Sequence, residues 1–172
     1  MPLSNTDIAA LFKMMARIMQ VHGEDQFKTR AYFNGAAEIE ILPRQLSEMS
    51  RDEIMEVPGI GKAIAEKILE LVEHGRMSKL SEYLAMTPDG IVELTYVRGL
   101  GGKKVMQVWK AIGIGGIEAL EEACKSGQLL DVKGFGEKTI ESLLEEIDYY
   151  KESRRARVKA LLELARQPQT TS

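Results

Sequence analysis

A five-residue pattern, an apolar residue, one variable residue and then Gly-apolar-Gly, occurs three times in this chain: Val57-Pro58-Gly59-Ile60-Gly61, Val97-Arg98-Gly99-Leu100-Gly101 and Val132-Lys133-Gly134-Phe135-Gly136. Each copy opens an amphipathic run, as in Lys62-Ala63-Ile64-Ala65-Glu66-Lys67-Ile68-Leu69. Two glycines around one apolar residue allow a tight turn with φ > 0 and keep side chains away from the N–H groups at the following helix start. The apolar residue, Ile60, Leu100 or Phe135, is expected to turn inward and pin the turn to the core. Such a turn suits a bulky anion, and a nucleic-acid phosphate is the natural one. Gly-rich turns also begin nucleotide-binding loops, but no β-branched strand run precedes any copy and no Walker-type Gly-x-x-x-x-Gly-Lys-Ser/Thr occurs. Three repeats with helical flanks are read as helix-hairpin-helix motifs.

The candidate DNA-binding positions are then Gly59, Gly61 and Lys62 in the first turn, Gly99, Gly101, Gly102, Lys103 and Lys104 in the second, and Gly134, Gly136 and Lys138 in the third. The second turn is expected to matter most, because two lysines follow it directly. The third should matter least, since Glu137 at its helix start competes with phosphate for the same N–H groups.

A 44% hydrophobic content over 172 residues is that of a folded protein, with room for one ordinary domain or two small ones. Few β-branched clusters leave almost no candidate strands, so the expected class is all-α: tandem helix-hairpin-helix units with a long C-terminal helix. A net charge of −3 confines any nucleic-acid contact to local patches and makes long-range steering modest. The single cysteine, Cys124, has no partner for an internal disulfide and reads as a buried thiol. His22 and His74 each precede a glycine, where helices end, and with so few soft ligands a zinc site is not expected. There is no apolar run long enough for a signal peptide or a membrane span, so the expected protein is cytoplasmic and makes no membrane contact.

Asn5 reads as the N-cap of a first helix bearing Ile8, Leu11, Phe12, Met15 and Met19, with Gly23 at its end. A second helix begins near Asp25 and stops before Pro43; it places Lys28 and Tyr32 four residues apart on one side. Ser50-Arg51-Asp52-Glu53 is a capping box. Thr87-Pro88-Asp89-Gly90 breaks the helical pattern and separates an expected first domain, residues 1–86, from a second, 87–167. The run from Ile140 to Ala165 is expected to be one long helix, kinked or straight. Its segment Lys151 to Lys159 is the most basic in the chain, a solvated face or a second phosphate contact. Residues 168–172 are expected to be a disordered tail.

Lys28, Arg30-Ala31-Tyr32, the stretch Val57 to Ile68 and Gly134-Phe135-Gly136-Glu137-Lys138-Thr139 together resemble the N-terminal part of the family X DNA polymerases, the bacterial members above all. The similarity covers almost the whole chain. In that family an N-terminal helical domain binds the 5′-phosphate side of a gap and a following domain grips the duplex, each through a helix-hairpin-helix turn. The resemblance implies DNA as partner, as duplex, gapped or nicked substrate, a role in DNA repair beside another repair protein, a monomer, and a place at the bacterial nucleoid. It also puts Lys67 on the nucleophile that in some members removes a 5′-deoxyribose phosphate, and Lys28, Tyr32 and Lys79 on residues that hold the phosphate or line the pocket. Other basic positions of that pocket are Phe33, Asn34, Met55 and Ala63 here. The expectation is therefore that Lys67 contacts phosphate or solvent rather than attacking sugar. The resemblance further implies a monovalent cation, sodium or potassium, held by the carbonyls of Met55, Val57 and Ile60 in the first turn and of Thr95, Val97 and Leu100 in the second. The family's catalytic palm holds two metal ions on an Asp-x-Asp pair and a third Asp; no Asp-x-Asp occurs here, so no polymerisation is expected of this chain by itself. Two other readings stand beside DNA binding: a protein-interaction module built on the same hairpins, and a fragment of a longer polymerase.

Overall fold

The computed structural model describes residues 2–167 and holds, among them, helices and turns only. The helices are α1 (Asn5–Val21), α2 (Gln26–Glu40), α3 (Arg51–Met55), α4 (Lys62–His74), α5 (Ser78–Ala85), α6 (Asp89–Leu94), α7 (Gly101–Ile112), α8 (Ile117–Ser126), α9 (Glu137–Ser153) and α10 (Arg155–Ala165), with short 3-10 segments at Leu46–Glu48 and Gln128–Asp131. The all-α class holds. The tail expected at 168–172 lies outside the described residues. No described helix is long and apolar enough to cross a membrane.

Helix α1 buries Ile8, Leu11, Phe12, Met14, Met15, Ile18 and Met19, more of its circumference than a surface helix would. Its start differs from expectation. Ser4 is the residue whose hydroxyl accepts from the Asp7 N–H, at 3.1 Å. The Asn5 side chain instead reaches a distant loop, donating to the Arg44 carbonyl at 2.7 Å and accepting from the Leu46 N–H at 2.8 Å. A buried amide that satisfies two loop groups forty residues away does more than a local cap, and Ser4 is free to take the capping role. The other start signals hold: Asp25 accepts from the Phe27 N–H at 2.7 Å, and Ser50 and Glu53 close a reciprocal capping box.

The described residues fall into two compact units, one from residues 2–16, Glu24–Ala85 and residues 161–167, the other from Arg17–Gly23 and Met86–Ala160. In the first, α2 lies so close to α4 that a Cβ on Gly35 would sit 2.9 Å from Ile64 Cγ2. In the second, a Cβ on Gly90 would sit 2.1 Å from the Gly115 carbonyl oxygen, so the start of α6 tolerates no side chain there. His22 donates to or accepts from Thr87 Oγ1 at 2.8 Å, within the second unit. Cys124 is buried, and burial raises its thiol pKa, as expected of a structural cysteine.

The C-terminal run is two helices meeting at Arg154, whose φ of −125° and ψ of −28° interrupt the helix although its N–H still reaches the Tyr150 carbonyl. Part of its basic stretch turns inward, while Arg157 and Lys159 stay exposed. Lys151 pairs with Glu121 at 2.9 Å, and Arg155 pairs with Glu93 through Nε at 2.9 Å and with Glu118 through both Nη atoms. Glu93 is only 7% exposed and also accepts from the Tyr150 hydroxyl at 2.9 Å. Buried acid needs such partners, and the cations nearest in space are those of α9 and α10.

Replacing Arg155 with methionine should strand the Glu93 carboxylate and cost about 3 kcal/mol of stability, read as a lower melting temperature. Hydrogen bonds from Arg155 and Lys151 hold the Glu118 and Glu121 carboxyls below the usual range. Their contribution is present above the ordinary glutamate pKa and lost as pH falls through the lowered values. The melting temperature of the wild type should therefore fall more steeply on acidification than that of a variant lacking both Arg155 and Lys151.

Candidate nucleic-acid interface

The three repeats fold alike. The N–H of Ile60 reaches the Val57 carbonyl at 3.3 Å, that of Leu100 the Val97 carbonyl at 3.1 Å, and that of Phe135 the Val132 carbonyl at 3.1 Å. The third residue of each turn, Gly59, Gly99 or Gly134, has φ of +83°, +87° or +93°. A one-to-four hydrogen bond with positive φ at the third position is the signature of a type II turn, which requires glycine there. The apolar residue that closes each turn is buried, Ile60 at 9%, Leu100 at 1% and Phe135 at 2% exposure.

The next glycine sets up the helix. Gly61 and Gly136 are extended residues ahead of α4 and α9, and neither helix start has a side-chain cap. Nothing lies within 4 Å of where a Cβ would sit on Gly61, Gly99, Gly101, Gly134 or Gly136, so that face of each turn is open. The first N–H groups of α4, α7 and α9 thus have neither intrahelical acceptors nor side-chain caps, as an anion would require. Gly102 behaves differently. It is buried, and a Cβ on it would sit 2.3 Å from Gln20 Cβ, so it serves the packing of α7 and not a ligand.

Charge divides the turns. At the first, Lys62 is exposed at the start of α4, but a Cβ on Gly59 would fall 2.8 Å from the Glu38 carboxyl carbon, so a carboxylate is packed against this turn. The second and third turns are joined within their unit: Lys104 Nζ lies 5.6 Å from the Phe135 ring centre, and Gln107 donates to the Lys133 carbonyl at 2.8 Å. Between them is a cleft of about 240 Å³ lined by Arg98, Gly99, Lys138, Thr139, Ser142 and Leu143. Its two cations come from different hairpins. Lys103 is exposed beside it in chain order. Arg98 was missed in the sequence because it occupies the variable position of its turn, held elsewhere by Pro58 and Lys133.

Below the second turn, the Thr95 carbonyl accepts from Arg17 Nη1 at 2.8 Å, and the Arg17 guanidinium lies 4.5 Å from the Tyr96 ring centre. Burial pulls the pKa of this guanidinium below its ordinary value, opposed by Tyr96 and reinforced by Arg154. The carbonyls of Val57 and Val97, expected to ligate a monovalent cation, are the acceptors of their own turns. Among the described residues no cluster of His, Cys, Asp and Glu side chains could hold a metal ion.

Of the residues that the resemblance placed round a lyase pocket, Lys79 lies over the Tyr83 ring on the side of the first unit that also holds Tyr32, and Lys67 lines a separate depression. Tyr32 is 6% exposed and packs on Phe12 with ring centres 5.7 Å apart, and burial pushes its hydroxyl up to about 12. Lys28, on the same side of α2, is exposed. Lys79 is exposed and lies 3.6 Å from Glu82 and 5.7 Å from the Tyr83 ring centre. Lys67 is half-buried in a depression of about 330 Å³ shared with Arg51, Glu66, Leu69, Glu70, Glu73 and His74. Arg51 there is paired with Glu73 at 3.0 Å, and Glu70 accepts from the Ser78 N–H at 3.0 Å. Glu66 and Glu70 outweigh Lys67 there once Arg51 is paired with Glu73, which disfavours a phosphate. A residue that sequence reasoning passed over is Phe27, 81% exposed beside Lys28, a position outside the apolar stripe of α2.

Residues 3–77 match the family model described as a helix-hairpin-helix domain, and residues 91–148 match the one described as a SAM-like helix-hairpin-helix tandem. The first hairpin falls in the former match, the second and third in the latter. The chain is 37% identical over 139 residues to the DNA polymerase/3′-5′ exonuclease PolX of Bacillus subtilis, covering 81% of this chain and 24% of that protein. It is 32% identical over 82 residues to DNA polymerase lambda of Arabidopsis thaliana, 48% of this chain and 15% of the relative. It is 26% identical over 114 residues to DNA polymerase lambda of Rattus norvegicus, 66% of this chain and 19% of the relative. The chain thus spans a quarter or less of the length of these relatives.

The backbone separates the glycine positions experimentally. Gly61 has φ of −73°, which any residue adopts, whereas Gly101 has φ of +61°. Gly61→Val should melt with the wild type, while Gly101→Val should lose at least about 1–2 kcal/mol to left-handed backbone strain. Gly61→Val and Gly136→Val are therefore the variants whose binding defects would report on backbone approach, and Gly101→Val is not.

Proposed function

We propose, taking this chain as the hairpin-bearing part of a family X DNA polymerase, that it binds DNA through the phosphate backbone without reading bases. The observation that carries this is the cleft between the second and third turns, where Arg98 and Lys138 converge on a solvent-open glycine and an uncapped helix start. Backbone N–H groups and side-chain cations hold phosphates but carry no sequence information. The preferred substrate is a gapped duplex with a 5′ phosphate, as expected of a module acting in DNA repair. Phe27 supports that preference: an exposed ring beside Lys28 is a platform for an unpaired base, which intact duplex does not offer.

Fluorescence anisotropy with gapped 5′-phosphorylated, nicked, intact and single-stranded DNA tests this reading. Because few phosphates are neutralised, log K should fall against log salt with a slope on the order of 2 to 4. Arg98→Ala and Lys138→Ala should each weaken binding to every form and lower the slope by about 1. Glu38→Gln should tighten binding by roughly twofold to fivefold at low salt, the size of an exposed charge interaction. Phe27→Ala should reduce the preference for the gap alone. No binding to any form at low salt would favour the protein-interaction module instead.

The lyase reading receives less support, since the depression around Lys67 is lined by Glu66, Glu70 and Glu73. Borohydride trapping on 5′-deoxyribose-phosphate DNA should yield no adduct that Lys67→Ala abolishes. An adduct lost in that variant would restore Lys67 as a nucleophile.

A further inference from the structure

The chain segment that leads into the second hairpin has its carbonyls held by arginines of the same compact unit. Arg17, near the end of α1, donates to the Thr95 carbonyl at 2.8 Å and stacks on Tyr96. Arg154, at the break between α9 and α10, donates to the Tyr96 carbonyl at 3.3 Å. Thr95 is 2% exposed, so the accepting end of the first of these bonds is buried. The buried side-chain polar atoms without a hydrogen-bond partner among the described residues are both here, Arg17 Nε and the Tyr96 hydroxyl.

This arrangement does not fit a monovalent cation held by the Thr95, Val97 and Leu100 carbonyls. An alkali ion on the Thr95 oxygen would share that oxygen with a guanidinium and sit beside its full positive charge, with little water to screen the repulsion. The guanidinium keeps its proton under all ordinary conditions, so the conflict cannot be titrated away. The group left over at Nε is a donor, which attracts an acceptor and repels a cation. The first hairpin has the opposite character, since the charge packed against its turn is the Glu38 carboxylate.

We infer that at the second hairpin the Arg17 guanidinium stands in for the alkali ion, as a built-in cation that orders the carbonyls beneath the turn and excludes sodium and potassium from them. Arg17 is a positioning residue in this role: it acts on the turn through Thr95 and Tyr96. The exclusion is a property of the protein alone, and only its consequence for affinity rests on the DNA-binding reading.

The test uses the full chain, labelled with nitrogen-15 and free of DNA. Tetramethylammonium chloride, whose cation is too large for a carbonyl cage, is replaced stepwise by potassium chloride at constant ionic strength. In the wild type the amide signals of residues 97–101 should not move. In Arg17→Met they should shift saturably, because the Thr95 carbonyl is freed. Arg17→Gln, neutral but still able to donate, is the second variant should the first unfold. Saturable shifts in the wild type would overturn the inference, as would their absence in every folded variant, since the guanidinium would then exclude nothing. If both variants unfold, the wild-type titration decides alone. A parallel anisotropy series on gapped duplex should show Arg17→Met binding more weakly in tetramethylammonium and recovering in potassium. Absence of all DNA binding would refute the proposed function and leave the amide result standing.

Discussion

The burial of one apolar side chain between two glycines is the constraint on which each functional turn depends. Ile60, Leu100 and Phe135 leave their turns toward the core, and that anchoring forces the preceding glycine into a positive φ while the following helix begins with bare N–H groups outside. Without the anchor, a type II turn ahead of a helix would be one of several accessible conformations, and its donors would not face a common direction. Hydrophobic burial thus aims polar groups, and the same side chain that stabilises the hairpin orients its anion-binding edge.

Charge is used in two distinct ways in the second unit. Lys151 of α9 and Arg155 of α10 turn inward to neutralise Glu93, Glu118 and Glu121, which ties four helices together, α6, α8, α9 and α10. The cations of the second and third turns, Arg98 and Lys138, stay at the cleft between them. A chain of net charge −3 can present a positive site because its excess acid is placed elsewhere, or is already paired. The first unit follows a different pattern, with Glu38 against its turn and three glutamates round Lys67, so hairpins of the same backbone geometry differ in the sign of their surroundings.

Much of the architecture was legible in the chain. The glycine spacing announced the turns, Asp25 and the Ser50 to Glu53 box announced helix starts, and the three-four spacing of α1 announced its buried face. Asn5 misled because N-cap propensity is local whereas its amide is satisfied by Arg44 and Leu46, and no local rule sees partners forty residues away. The counter-charges of Lys151 and Arg155 were hidden for the same reason: Glu121, Glu93 and Glu118 lie far from them in the chain. Tyr32 and Lys28 were legible as neighbours on one side of α2, and Tyr32 packs on Phe12 while Lys28 stays exposed.

The sequence by itself determined that the chain is helical, that it turns tightly three times, and which apolar residue closes each turn, because these follow from dihedral restrictions and apolar periodicity within a few residues. Only the tertiary structure decided that Gly102 serves packing while Gly61 and Gly136 stay open, that Arg98 and Lys138 share a cleft, and that Arg17 holds the Thr95 carbonyl. These depend on which side chains meet after distant segments pack. Glycine, lysine and arginine look alike in a chain whether they face solvent, a neighbouring helix or a buried carbonyl.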